Sequence, residues 1–173
     1  MKSLIQEKAS VIYQQFSKAP ILEMVQYMVN ENVDAQVLHQ LKLIDQKQHK
    51  NPHVISYGEK IYAAYERICK VLVTYPSLEF VDSKFKIKKN KESRFANEFF
   101  PNTRLNKLTI ETILNIVNNA ILYGIESTND CISKINNLLK DRAFYNQLIM
   151  FLKEACGEDY EAYIKKLSKA NLS

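Results

Sequence analysis

The chain has 173 residues, of which 46% are hydrophobic and 25% are charged, and its formal net charge at pH 7 is +5. These proportions are typical of a globular protein with a packed core and exclude an intrinsically disordered chain. The length is close to that of one ordinary domain, so we expect a single helical domain over 1–173. No run of about 18 apolar residues is present and charge follows Met1 at once, so we expect neither a membrane span nor a signal peptide.

Apolar residues at helical spacing predict an all-α fold, a compact bundle or array of about seven to eight helices. In the first part of the chain, Ser3 and Gln6 form a capping box that predicts the start of a helix, which Pro20 interrupts. Two further helices are expected, over about 21–29 and 34–48.

A longer helix is predicted from Ser56 to Tyr75. Ser56 and Glu59 have the spacing of a second capping box, and Pro76 ends the segment. The apolar residues that recur along it at three- and four-residue steps are Tyr57, Ile61, Ala64, Tyr65, Ile68, Leu72 and Tyr75. This stripe predicts one buried face.

The pattern becomes irregular over 76–108. Phe80, Phe85 and Ile87 alternate with polar residues around Asp82 and Ser83, which predicts either a short hairpin or an ordered loop. Both alternatives stay open, because Asp-Ser is a poorer two-residue turn than Asn-Gly. A short helix over 93–99 follows in the prediction.

Helical spacing returns after residue 108. Thr109 is the expected N-cap of the first helix there, and Asp141 that of a later one. The predicted helices cover about 109–124, 128–139, 141–157 and 160–167. Together with the first part of the chain, they account for the predicted all-α class.

The sequence contains no motif of the kinds that common catalytic and cofactor sites require. Its three glycines are isolated, which excludes the glycine-rich loops that bind phosphate. His49 and His53 are four residues apart, but Pro52 breaks any helix between them, so we interpret them as solvated loop histidines. We therefore expect no enzyme activity, no metal site and no cofactor.

Cysteine usage bears on the cellular compartment. The three cysteines, Cys69, Cys131 and Cys156, are an odd number at wide spacing and form no Cys-x-x-Cys pair. They are interpreted as free thiols, which predicts a reducing, cytoplasmic environment.

The positive charge is concentrated in residues 84–107, here called the basic segment. It has eight cations and two carboxylates, a net charge of +6, so the rest of the chain together carries −1. A local patch of this kind attracts anionic partners. The predicted partner-binding residues are Lys84, Lys86, Lys88, Lys89, Lys91, Arg94, Arg104 and Lys107.

Four phenylalanines, Phe85, Phe95, Phe99 and Phe100, interleave with these cations. Exposed rings could stack on bases while the lysines follow phosphates, which would indicate nucleic-acid binding. Alternatively, the rings anchor the segment to the core. We expect a non-catalytic helical binding or adaptor protein, or a small subunit of a larger assembly, that docks a protein partner. The alternative is a nucleic-acid-binding protein that uses the same patch.

The C-terminal tail supplies a third alternative. Glu158, Asp159 and Glu161 precede Leu172 near the end of the chain. This arrangement resembles the C-terminal signals of substrates of bacterial type IV secretion, which pair an acidic block with a hydrophobic residue near the end. The resemblance implies a secreted effector acting on a host protein, whereas an ordinary helix start explains the same carboxylates through the helix dipole.

Overall fold

The computed structural model describes residues 3–16, 19–101, 105–122, 135–157, 161 and 165. Its contacts divide the chain into two compact units, Met1–Cys69 and Lys70–Ser173. The boundary falls inside one continuous helix. The expectation of a single domain over 1–173 stays a prediction, because a boundary within a helix is compatible with one folding unit or with two.

The first unit consists of helices. They are α1 (Leu4–Tyr13), α2 (Ile21–Asn30), α3 (Ala35–Gln48) and the first part of α4 (Pro52–Thr74). Helices α1 and α3 pack against each other. The fully buried side chains include Ala9, Val25, Met28, Leu41 and Ile61.

Helix starts in this unit follow local capping signals. The Ser3 backbone N–H donates to Gln6 Oε1 at 3.1 Å and the Gln6 N–H donates to Ser3 Oγ at 3.2 Å, which confirms the predicted capping box. Asp34 caps α3 by accepting the Val37 N–H at 3.0 Å. Each cap satisfies backbone donors that no helical carbonyl can reach.

Helix α4 begins earlier than predicted. It starts at Pro52 rather than Ser56, and the Asn51 side chain accepts the His53 N–H at 2.9 Å. Proline suits the first helical position because its missing N–H would lack a helical partner there and its φ is already helical. The Ser56–Glu59 capping box is therefore wrong, because Ser56 lies within the helix.

Three tyrosine side chains of α4 form hydrogen bonds to backbone carbonyls elsewhere in the first unit. The Tyr57 hydroxyl donates to the Ala19 carbonyl, that of Tyr62 to the Leu41 carbonyl at 3.1 Å, and that of Tyr65 to the Val33 carbonyl. Tyr62 and Tyr65 are buried. A buried hydroxyl needs such a partner, so Tyr62 and Tyr65 belong to the interior and not to a docking surface.

The second unit contains a hairpin and the remaining helices. Its elements after α4 are β1 (Leu78–Val81), β2 (Lys84–Ile87), α5 (Glu92–Phe99), α6 (Lys107–Leu122), α7 (Asn136–Leu139) and α8 (Arg142–Cys156). Helix α6 contacts α8, β2 and α5. The all-α class is confirmed, since helices dominate the described residues and the only sheet among them is this two-stranded hairpin.

Of the two predictions for residues 78–88, a short hairpin or an ordered loop, the structure shows the hairpin. The strands are antiparallel, and Phe80 is paired with Phe85. Asp82 and Ser83 both have positive φ, 55° and 61°. A two-residue turn with positive φ at both positions matches the twist of the flanking strands. Aspartate tolerates the left-handed region better than most residues, which helps Asp-Ser to make this turn.

Caps also set the bounds of the later helices. Asp141 accepts the N–H groups of Ala143 and Phe144 at 2.9 and 3.2 Å, and Gly157 ends α8 with φ of 63°, as predicted. Helix α6 starts two residues before its predicted cap, because Asn106 accepts the Thr109 N–H at 2.8 Å. The predictions for 123–134 and for the acidic tail lie outside the described residues.

No helix in the described part of the chain is long and apolar enough to cross a membrane. Cys69 and Cys156 form no disulfide bond among the described residues, and Cys131 lies outside them.

Candidate functional site

The cations of the basic segment lie on three neighbouring elements of the second unit. Lys84 and Lys86 are on β2, Arg94 is on α5, and Lys107 is the first residue of α6. The connection between β2 and α5 carries the remaining three lysines, Lys88, Lys89 and Lys91. All seven are exposed except Lys86, which is partly so. Arg104 lies outside the described residues.

Two of these cations have an acidic neighbour. Lys86 Nζ lies 3.1 Å from Asp82 Oδ2, and Arg94 Nε lies 3.9 Å from Glu98 Oε2. Surface pairs of this kind contribute little to stability. Within the described ranges, the other five form no ion pair; they are Lys84, Lys88, Lys89, Lys91 and Lys107.

Three of the predicted residues meet at one groove. Lys84, Lys86 and Lys107 line a groove of about 290 Å³ between β2 and α6. Glu92 and Glu111 line it as well, so its charge is mixed. Lys88, Lys89, Lys91 and Arg94 do not line this groove.

Three of these five lysines, Lys88, Lys89 and Lys91, immediately precede the first residue of α5. Lys91 is the residue that caps this helix, yet its side chain makes no capping hydrogen bond. Lys88 and Lys89 precede it in a turn in which the Lys91 N–H donates to the Lys88 carbonyl at 3.1 Å. The positive end of a helix dipole repels cations. These three lysines therefore oppose local stability, which indicates that folding is not what they serve.

We expect the substitution Lys91→Ser to stabilise the protein by about 0.5 kcal/mol, because it removes a cation from the positive end of the helix dipole. Chemical denaturation followed by circular dichroism measures the effect. Lys89→Ser, two residues earlier, is the matched control and should gain less. Equal gains would mean that general charge repulsion, and not the position at the helix start, accounts for the change.

The phenylalanines of the basic segment are mostly in the core. Phe85, Phe95 and Phe99 are at most 1% exposed, so these three rings offer no surface on which bases could stack. Phe99 packs edge-on against Phe144 and Phe151, at 5.8 Å between ring centroids in both cases. This burial agrees with the alternative in which the rings anchor the segment to the core. Phe100 is half-buried, and its stacking role stays a prediction.

Two of the three histidines lie beside a cavity of the first unit. His49 follows the last residue of α3 and His53 lies in the first turn of α4, so no single helix contains both, as predicted. His49 is partly exposed and His53 is exposed, although His53 belongs to a helix and not to a loop. Both line one cavity together with Asp45. In the part of the chain that the structure describes, no group of three ligating side chains could hold a metal ion.

No protein-family model matches this chain, and neither a curated protein nor a solved structure is significantly similar to it. Function is therefore inferred from the chemistry of the basic segment and of the cavity beside Asp45.

Proposed function

We propose that this protein is a non-catalytic binding protein, an adaptor or a small subunit of a larger assembly, whose basic segment docks an acidic surface of a partner protein. The observation that carries the proposal is the cluster of Lys88, Lys89 and Lys91 at the start of α5. These lysines are exposed, disfavoured by the helix dipole and, within the described residues, without an ion pair. A carboxylate-rich partner would supply the missing counter-charge.

Two features favour a protein over a nucleic acid. Three of the four rings that could stack on bases are buried, so the aromatic half of a nucleic-acid surface is missing. Glu92 and Glu111 line the groove beside the lysines, where they would repel a phosphate backbone. A protein surface can instead offer its own cations to these two carboxylates.

We propose a cytoplasmic location, which fits the absence of a disulfide bond at Cys69 and Cys156 among the described residues. The secretion alternative depends on the tail, which lies outside the described residues.

The docking proposal is tested by measuring how much of a partner protein is captured by each of three immobilised forms of this protein. The first is the wild type. The second is the patch variant, in which Lys84, Lys88, Lys89 and Lys91 are changed to Gln. The third is a control with the same net charge of +1, in which four exposed lysines outside the basic segment are changed to Gln: Lys50, Lys60, Lys70 and Lys140.

A true partner should be retained by the wild type and by the control variant, lost from the patch variant, and insensitive to nuclease treatment. It should then bind as a purified protein with the same ranking of the three forms. Equal loss from both variants would mean that net charge alone governs binding. Nuclease-sensitive retention with a steep salt dependence would replace the protein partner by a nucleic acid.

A further inference from the structure

A second, independent site lies in the first unit, in a cavity of about 340 Å³. Residues from α1, α3 and α4 and from the connections that follow α1 and α3 line it. Its walls are largely aromatic, from Tyr13, Phe16 and Tyr57, and its one carboxyl group is that of Asp45. The volume is within the range of small-molecule sites, which are mostly apolar with a few polar groups at fixed positions.

Asp45 is only 4% exposed. It lies in the last turn of α3, where the helix dipole disfavours negative charge. Burial raises the pKa of its carboxyl above the ordinary value and Glu59 acts in the same direction, while His49 and a hydrogen bond from Tyr13 lower it. The Tyr13 hydroxyl donates to Oδ1 at 3.5 Å, a long contact that satisfies the group poorly.

Gly58 makes room for this carboxyl. A Cβ at position 58 would lie 2.7 Å from Asp45 Oδ2, closer than atoms can pack. Glycine inside a helix lowers stability relative to alanine. Two residues that each lower local stability thus meet at one point of the cavity, and such conflicts are typical of functional sites.

The aromatic walls are held in place by their own contacts. Tyr13 packs edge-on against Phe16 at 5.3 Å between centroids and lies 5.7 Å from the His49 ring. The Tyr57 hydroxyl is fixed by its bond to the Ala19 carbonyl. Burial beside Asp45 raises the pKa of Tyr13 to about 12, so its hydroxyl keeps its proton at neutral pH.

We propose that this cavity binds a small organic cation, a primary amine with an apolar body, whose ammonium group pairs with Asp45 while the body packs on the rings of Tyr13, Phe16 and Tyr57. An ammonium group would supply the donors that Asp45 lacks and would be attracted by the aromatic faces. An anion would be repelled by Asp45 and Glu59. A neutral ligand would leave the buried carboxylate without a counter-charge.

Titration with 2-phenylethylamine, followed by the backbone amide signals of Gly58 and His49 in NMR spectra, tests the site. The amine should bind saturably and shift both signals. The neutral isostere 2-phenylethanol should bind more than about tenfold more weakly, because it lacks the charge-assisted hydrogen bond.

Asp45→Asn should weaken amine binding by more than about tenfold, whereas Glu23→Gln, an equal change of charge at an exposed position of α2, should not alter it. The melting temperature of the same variant shows whether Asp45 also stabilises the fold. Because burial penalises the charged form, Asp45→Asn should raise the melting temperature in the absence of amine.

The rise in melting temperature should depend on pH. The Asp45 pKa is higher in the folded than in the unfolded chain, so this group stabilises the fold below the ordinary value of 3.8 and loses that contribution as pH rises through its folded pKa. The difference in melting temperature between Asp45→Asn and the wild type should therefore grow as the pH rises from 3.8.

The binding proposal is overturned if the amine fails to saturate the site, if the alcohol binds as well as the amine, or if Asp45→Asn binds the amine like the wild type.

The contact between Gly58 and Asp45 has its own test. Gly58→Ala should lower the melting temperature of the wild type, since overpacking against the carboxyl outweighs the gain in helix propensity. In an Asp45→Ala background the clash is gone, and the same substitution should raise the melting temperature. Ser56→Ala, on the exposed face of α4, reports the propensity gain alone. An equal effect of Gly58→Ala in both backgrounds would show that the carboxyl does not fill this space.

Discussion

The patch variant is expected to associate with its acidic partner about 10- to 1000-fold more slowly than the wild type, because exposed charges steer encounter and set the rate constant of association. The four substituted residues are Lys84, Lys88, Lys89 and Lys91. The rate constant for dissociation should change much less, since these side chains are exposed and belong to no buried contact of the described chain. Stopped-flow measurements over a range of salt concentrations provide both rate constants.

Folding should be little affected by the same four substitutions. Exposed lysines away from caps and core contribute within about 0.5 kcal/mol each, and removing Lys91 from the start of α5 favours the helix. The control variant at Lys50, Lys60, Lys70 and Lys140 has the same net charge and should associate close to the wild-type rate. If the two variants slow association equally, the location of the charge is irrelevant and the basic segment is not the docking surface.

Salt dependence distinguishes the two kinds of partner for the same variant. For a nucleic acid, the loss of four phosphate contacts should flatten the slope of log affinity against log salt by about three to four units. For an acidic protein, the effect should reside mainly in the association rate. One set of proteins and one titration series therefore separate the favoured function from its alternative.

The helix starts that were predicted correctly depend on contacts within a single turn. Ser3, Asp34 and Asp141 each cap a helix through backbone N–H groups two or three residues away, so the sequence contains the whole interaction. The start of α4 was wrong because two valid signals competed. Asn51 with Pro52 comes first along the chain, and a helix already begun there leaves Ser56 no end to cap.

The positions of charge could be predicted, but burial could not. Lysines stay at the surface in almost any fold, so the location of the basic segment follows from the sequence alone. Whether Phe95 faces solvent or core depends on residues far along the chain, such as Tyr75, whose ring lies 5.8 Å from it. For this reason the sequence left base stacking and core anchoring open.

The cavity around Asp45 was missed for the same reason. Nothing local distinguishes a buried carboxyl from a solvated one in a helix that is otherwise polar at that end. Two signals were nevertheless present in the sequence, an aspartate in the last turn of a predicted helix and a glycine inside the next. Each is a local conflict, and only the fold shows that Asp45 and Gly58 meet.

Asn118→Ala is expected to destabilise the protein by about 2 to 4 kcal/mol, because it leaves two buried backbone groups without partners at about 1–3 kcal/mol each. Asn118 is on α6 and is 9% exposed. Its Oδ1 accepts the Phe85 N–H at 2.8 Å, and its Nδ2 donates to the Phe85 carbonyl at 2.9 Å. One side-chain amide thus pairs with the edge of β2 as a neighbouring strand would.

Asn115→Ala, at an exposed position of the same helix, is the matched control and should be neutral or slightly stabilising, since alanine is the better helix former. Unfolding in urea is best followed by circular dichroism, because the chain has no tryptophan. Hydrogen exchange at the Phe85 amide should accelerate in Asn118→Ala and stay unchanged in Asn115→Ala. If Asn118→Ala costs no more than its control, β2 is held on α6 by the packing of Phe85 alone, and the lysines of the basic segment do not depend on this amide for their position.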